Sequence, residues 1–180
     1  MLYFHMIILD FETNSHNAND VLEAAAFKLE HVDGKFEIVD TFHRYYYSKY
    51  PVNEFALQVH HLSPEKIIEK REDSAYALFF AEDEDFRVFC EDAQTLIAHN
   101  VTFELKHLSG IVNFDNHFCT MKENRKSVQA LNKNGRIKNP KLIECCHHYN
   151  IEFDEESYHS ALYDVSKTLE VLNSMGNVTL

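Results

Sequence analysis

The stretch MIILDFET, residues 6–13, decides the fold, because an apolar run leads directly to Asp10 and Glu12. A short apolar run of this kind is typical of a buried core strand. Two carboxylates two positions apart repel each other, and placing them near a core costs several kcal/mol unless something compensates their charge. The stretch therefore predicts a core strand that ends at a charged site.

The rest of the chain predicts an α/β fold, with a mixed β-sheet flanked by α-helices in a single domain over residues 1–180. The segment 20–48 begins with LEAAA, which favours a helix, but Asp33-Gly34 is a strong hairpin signal and favours strands on both sides. A further strand is predicted at 95–99. Helices are predicted at about 64–70, 82–90, from 101 onward, 140–149 and 161–175.

Composition sets limits on the class of protein. Hydrophobic residues make up 45% of the chain, which is typical of a globular domain, and 17 basic against 29 acidic residues give a net charge of −12. A nucleic-acid partner would therefore need a local basic patch or bridging cations. Four cysteines without framework spacing and the lack of a charged leader predict a cytoplasmic protein. No apolar run approaches the ~20 residues of a membrane span.

Two further carboxylates fall on apolar helix faces. Glu104 lies in the stripe formed by Val101, Leu105 and Leu108, and Asp164 lies on the face formed by Ala161, Val165, Leu169, Leu172 and Met175. Taken singly, each is more often a stripe-edge residue or a cap than a ligand. If they converge with Asp10 and Glu12, bound cations would hold the charges together, and oxygen ligands suit Mg²⁺ or Mn²⁺.

A histidine accompanies the last carboxylate in the sequence YHSALYD. His159 and Asp164 are five residues apart, which is about 140° around a helix, so they cannot face one site from within the same helix. We therefore expect His159 just before the helix, with Ser160 as its N-cap. A histidine placed there can accept a proton near neutral pH.

The motifs DFET, HNVTFE and HSALYD resemble, in order, the three motifs of the DEDDh (DnaQ-like) 3′–5′ exonucleases, over about residues 6–175. The segment VHHLSPEKI, 59–67, is similar to the family's V-H-G-[IL]-[ST]-x-E segment. The resemblance implies a ribonuclease H-like fold with two divalent metal ions, Mg²⁺ or Mn²⁺. It implies that Asp10, Glu12 and Asp164 ligate them, with Asp10 bridging the two, and that His159 is the general base.

One position departs from the family pattern, because Glu104 stands where the second motif has Asp. The charge is kept and the reach grows by one methylene. We expect Glu104 to serve as a ligand with retained activity and an altered metal preference; a weakened or inactive site is the alternative. Position 160 is Ser rather than the Tyr of the tyrosine variant of the family, which favours His159 as the base.

Several further residues are expected to lie near the substrate. The resemblance implies that the backbone around Phe11 to Thr13 cradles the terminal nucleotide and that Phe103 packs near it, although helix packing explains Phe103 equally well. His61, or its neighbour His60, would line the substrate cleft. Asn100 would fix the turn into its helix.

The expected function is a metal-dependent 3′–5′ exonuclease that releases nucleoside monophosphates from single-stranded DNA or RNA 3′ ends. DNA proofreading in the manner of the polymerase III epsilon subunit, with a DNA polymerase subunit as partner, is the leading form. RNA 3′-end trimming, as in RNase T or oligoribonuclease, and a binding module with a weakened site are the alternatives. Residues 122–141 hold seven basic residues and one acidic one, and either steer phosphates or form a solvated loop.

Overall fold

The computed structural model describes residues 5–72, 74–176 and 178. Its centre is a five-stranded sheet in the order β3-β2-β1-β4-β5. The strands are β1 (His5–Thr13), β2 (Val21–Val32), β3 (Lys35–Tyr45), β4 (Ala93–Ala98) and β5 (Asn116–Cys119). The first three strands are antiparallel, whereas β4 runs parallel to β1 and β5 runs parallel to β4. The predicted mixed sheet is therefore confirmed.

The hairpin signal prevailed over helix propensity in the segment 20–48. Asp33 and Gly34 both have positive φ, 49° and 82°, as a tight two-residue hairpin turn requires. Ala24, Ala25 and Ala26 are fully buried in β2, which lies between β1 and β3. Pairing on both edges and packing on both faces thus outweigh the preference of alanine for helices.

Helices flank the sheet. They are α1 (Glu54–His60), α2 (Pro64–Arg71), α3 (Glu84–Cys90), α4 (Val101–Leu108), α5 (Thr120–Glu123), α6 (Arg125–Val128), α7 (Leu142–His148) and α8 (Ala161–Ser174). The five predicted helices correspond to α2, α3, α4, α7 and α8, whereas α1, α5, α6 and strand β5 were not predicted. Within the described ranges, no helix combines the length and the apolar character that a membrane crossing requires.

The core has two layers because β1 is buried on both faces. Ile7, Leu9 and Phe11 face the layer that contains α3 and α4, whereas Ile8 faces the layer that contains α8. Since side chains alternate along a strand, Asp10 and Glu12 point to the same face as Ile8. The carboxyl ends of the parallel strands β1 and β4 meet at one edge of the sheet, which is where α/β proteins commonly place their binding sites.

Candidate active site

Three structural elements bring the predicted carboxylates to this edge. Asp10 and Glu12 lie near the end of β1, Glu104 lies in the first turn of α4, and Asp164 lies in the first turn of α8. Glu12, His159 and Asp164 each offer a potential ligand atom, and these three atoms lie within 4.8 Å of one another. The structure therefore brings residues of the first and third motifs within ligand distance of one another, and Glu104 of the second motif is close enough for the charges of Asp10 and Glu12 to act on it.

The four carboxylates perturb one another strongly. Burial raises the pKa of Asp10, Glu12 and Glu104 well above their ordinary values, and the charges of neighbouring carboxylates raise them further. Burial also raises the pKa of Asp164 to about 7, although the backbone N–H of His159 acts in the opposite direction. Without a compensating cation, this cluster retains protons near neutral pH.

Two carboxylate oxygens in the cluster lack a protein partner. Among the described residues, the buried atoms Glu104 Oε2 and Asp164 Oδ1 accept no hydrogen bond. Buried polar atoms are nearly always satisfied, so an unpartnered oxygen in a cluster of acids requires an explanation. Carboxylate oxygens are the ligands that hard divalent cations such as Mg²⁺ and Mn²⁺ prefer, so this donor set fits such an ion.

His159 lies just outside α8, as predicted, in a left-handed conformation with φ 67°. Its ring stacks on Tyr158, with centroids 3.7 Å apart. Burial lowers its pKa, and the nearby charge of Lys141 lowers the pKa further. The imidazole is therefore neutral at pH 7 and able to accept a proton.

The capping prediction for Ser160 is correct in position but wrong in its contact. Ser160 occupies the N-cap position of α8, but its side chain makes no capping hydrogen bond. Its hydroxyl instead donates to Glu23 Oε1 at 3.2 Å. Ser160 thus ties the start of α8 to strand β2.

Glu23 was missed by the sequence reasoning. It is almost fully buried and stands opposite Glu12 in the β1–β2 pairing. Burial raises its pKa, but His43, whose Nε2 lies 2.8 Å from Glu23 Oε1, and the backbone N–H of Ala161 bring the net pKa below its ordinary value. A glutamate inside the apolar run VLEAAAF was the signal that could have identified it.

The predicted substrate residues occupy different environments. The Phe11 side chain is buried in the core against Phe80, so only its backbone faces the site, and Thr13 is partly buried. Phe103 is partly buried on α4 and packs against His107, with ring centroids 4.9 Å apart.

Asn100 occupies the N-cap position of α4 and its carbonyl accepts a hydrogen bond from Phe103, but its side chain makes no capping bond. The turn is therefore fixed by the backbone of Asn100 rather than by its amide. His61 and His159 both line a groove of about 580 Å³ between α2 and the loop before α8. His60 lines the same groove, but it is mostly buried and accepts a hydrogen bond from the Leu62 N–H.

The sheet order and the acidic edge define the class of protein: this is the ribonuclease H-like exonuclease fold. The sequence profile of the RNase T family, described as exonuclease, matches residues 7–172, and the chain belongs to this exonuclease family. No curated protein sequence matches the chain significantly.

Solved exonucleases share the fold at low identity. Exonuclease X in complex with 5′ overhanging duplex DNA aligns with a TM-score of 0.58 and 18% identity, over 93% of this chain and 90% of that one. E. coli Exonuclease I in complex with a dA16 oligonucleotide aligns with a TM-score of 0.67 and 17% identity, over 95% of this chain and 40% of that one. A moderately thermophilic Exonuclease I from Methylocaldum szegediense aligns with a TM-score of 0.67 and 13% identity, with the same coverage. The chain thus spans about 40% of the exonuclease I structures.

Proposed function

We propose that the chain is a metal-dependent 3′–5′ exonuclease, formed as one domain over residues 1–180, which removes nucleoside monophosphates from the 3′ ends of single-stranded DNA. The observation that carries the proposal is the buried cluster of acids from three separate elements, with Glu12, His159 and Asp164 offering ligand atoms within 4.8 Å of one another. A structural role alone does not explain why two oxygens in this cluster lack protein partners in the described part of the chain.

Two divalent ions, Mg²⁺ or Mn²⁺, would be held by Asp10, Glu12, Glu104 and Asp164. When bound, such ions neutralise the carboxylates and stabilise the charge that develops at a phosphate during hydrolysis. Glu104 Oε2 and Asp164 Oδ1 are buried and have no hydrogen-bond partner among the described residues, so a bound cation would satisfy both oxygens.

His159 would act as the general base. Its lowered pKa keeps it neutral, so it can accept the proton of the attacking water as the water oxygen bonds to phosphorus. The bond from phosphorus to the 3′ oxygen of the preceding nucleotide then breaks, and that oxygen takes up a proton from solvent. Stacking on Tyr158 limits the orientations of the imidazole, and the Ser160–Glu23 contact holds the chain that follows it.

The terminal nucleotide would be held by the backbone of Phe11 to Thr13, with Phe103, Asn100 and His61 around it. DNA is proposed as the substrate because the exonuclease X and exonuclease I structures with this fold contain DNA. A polymerase subunit as partner, as in proofreading, stays a prediction.

The test is degradation of 5′-labelled single-stranded DNA and RNA of equal sequence, with Mg²⁺, Mn²⁺ or a chelator, followed on a gel. We expect a metal-dependent ladder that shortens from the 3′ end and forms faster on DNA, and no ladder with Asp164→Asn. Faster shortening of RNA would assign the chain to RNA 3′-end trimming. Binding of both strands without any shortening would replace the exonuclease proposal with a nucleic-acid-binding module.

A further inference from the structure

The segment 122–141, here called the basic segment, departs from the charge of the rest of the chain. It contains seven basic residues and one acidic residue, whereas the whole chain carries −12. Six of the seven basic side chains are exposed: Lys122, Arg125, Lys126, Lys133, Arg136 and Lys141. Lys138 is partly buried, and its ammonium group pairs with Glu144. The other six basic side chains form no ion pair among the described residues.

The basic segment has a defined structure at its centre. Leu131 and Ile137 form an antiparallel bridge, and the chain turns between them from Asn132 to Gly135. The guanidinium of Arg125 donates to the Ile137 carbonyl, which fixes the bridge to α6. Lys133 and Arg136 are thus presented on a small hairpin.

His99 contacts the chain at both ends of the basic segment, through Met121 just before the segment and through Pro140 within it. The backbone N–H of Met121 donates to the carbonyl of His99, and Nε2 of the same histidine lies 3.1 Å from the Pro140 carbonyl. His99 lies between β4 and α4, the helix that carries Glu104. The segment therefore leaves and rejoins the body of the protein next to the site.

An exposed lysine stands at each end of the basic segment, Lys122 and Lys141. Lys122 Nζ lies 3.4 Å from Thr102 Oγ1, on the exposed face of α4, the helix whose buried face carries Glu104. Lys141 is exposed and directly follows Pro140, whose carbonyl lies 3.1 Å from His99 Nε2. The basic segment therefore begins and ends with exposed positive charge beside His99 and α4, at the edge of the sheet that carries the carboxylates.

We propose that the basic segment binds the phosphates of the single strand upstream of the scissile bond, an inference that rests on the proposed function. Its cations offset the repulsion between an acidic protein and a polyanion. Leu131 and Ile137 are 59% and 46% exposed, and they give the hairpin an apolar surface for the faces of unstacked bases. The segment thus combines backbone charge with base contact, as single-strand binding requires.

The first test measures binding, which does not require turnover. The dissociation constant of a fluorescein-labelled single-stranded 20-mer is determined by anisotropy across a salt series in a chelator and in Ca²⁺, for the wild type and for the triple variant Lys126→Ala, Lys133→Ala, Arg136→Ala. Each single-strand phosphate contact contributes about 0.7 to the slope of log Kd against log salt, so loss of three contacts lowers the slope by about 2. We expect that decrease, with binding at least tenfold weaker at low salt.

A matched pair of single variants provides the control. Lys133→Ala and Lys35→Ala each remove one exposed lysine, but Lys35 begins β3 at the hairpin turn, about 30 Å along the sheet from the site. We expect the slope to fall by about 0.7 in Lys133→Ala and not in Lys35→Ala. If the triple variant fails to fold, these two single variants still test whether the basic segment binds the strand. Equal slopes in Lys133→Ala, Lys35→Ala and the wild type would overturn the inference.

A second substrate separates failure of the inference from failure of the proposed function. The p-nitrophenyl ester of thymidine 5′-monophosphate contains the scissile phosphate but no upstream strand. If the wild type hydrolyses this ester while the triple variant retains the full salt slope on the 20-mer, only the inference fails. If the wild type hydrolyses neither the ester nor the 20-mer with any metal, the exonuclease proposal fails, and the salt slopes alone decide whether the basic segment binds nucleic acid.

Discussion

Asp164→Asn is expected to stabilise the metal-free protein although it should abolish hydrolysis. Burial raises the pKa of Asp164 to about 7, whereas the ordinary value is 3.8. Because the folded-state pKa is the higher one, the stability that depends on the protonated carboxyl is present below pH 4 and is lost as the pH rises through 7. Asparagine removes the charge and keeps a side chain of nearly the same shape.

The size of the effect follows from the difference between the two pKa values. The two values differ by about 3 pH units, so ionising Asp164 in the metal-free fold costs about 4 kcal/mol at pH 8. At pH 5 this cost is already about 1–2 kcal/mol. The free energy of unfolding of Asp164→Asn relative to the wild type should therefore grow by about 3 kcal/mol between pH 5 and pH 8. In a domain of this size, that difference corresponds to a shift of about 6–12 °C in Tm.

The assay is thermal unfolding in a chelator across this pH range, for the wild type and for Asp164→Asn. Burial lowers the pKa of His60, His99 and His107 to about 4, so these groups raise stability as the pH increases. They are present in both proteins and cancel in the difference. Added Mg²⁺ should reverse the order, because only the wild type keeps the full ligand set. Parallel pH profiles in the chelator would refute the account of a strained acidic cluster.

Substitutions at four other residues test individual parts of the site. Asp10→Ala should abolish hydrolysis while circular dichroism shows an unchanged fold; an unchanged rate would remove the two-metal proposal. His159→Ala should lower kcat by ~10²–10⁴-fold, the range for loss of a general base, and a loss below tenfold would point to another base. Glu104→Gln should weaken Mg²⁺ affinity by about 10–100-fold in an activity titration and raise the Tm in a chelator, because it removes a charge from the same cluster. At saturating Mg²⁺, Glu23→Ala should lower kcat by about tenfold or more with little change in KM, whereas Glu23→Gln, which still accepts a hydrogen bond from Ser160, should restore much of the rate; equal losses in both variants under these conditions would show that Glu23 does not act by positioning the loop.

The location of the site could be predicted because its residues conflict with the apolar pattern around them. Asp10 interrupts a core strand, and Glu104 and Asp164 interrupt apolar helix faces, so each is visible in the sequence as a costly burial. Glu23 shows the same conflict, but its run also matched a helix. Its partners, His43 and Ser160, lie 20 and 137 residues away in the chain, so only the folded structure reveals the contact.

The helices and the strand that the sequence analysis missed are short and show no clear hydrophobic periodicity. Helix α1 buries only His60 and leaves Phe55 83% exposed, so it has no apolar stripe and depends on the cap that Asn53 provides. Strand β5 has four residues, and it is a strand because Asn116–Cys119 pair with β4. Such short elements are specified by contacts distant in sequence, which periodicity does not detect.

Glu23 explains how the acidic edge keeps its attraction for cations when the other carboxylates hold protons. His43 and the start of α8 lower the pKa of Glu23, so it stays ionised, and its charge raises the pKa of Asp10 and Asp164. A fixed negative charge next to protonated acids creates a field that favours exchange of those protons for a divalent ion. Metal binding at this edge should therefore release protons, and Glu23→Gln should weaken it although Glu23 is not one of the proposed ligands. Isothermal titration of Mg²⁺ in buffers of different ionisation enthalpy measures both the affinity and the proton release, and an Mg²⁺ affinity in Glu23→Gln equal to that of the wild type would contradict this role of Glu23.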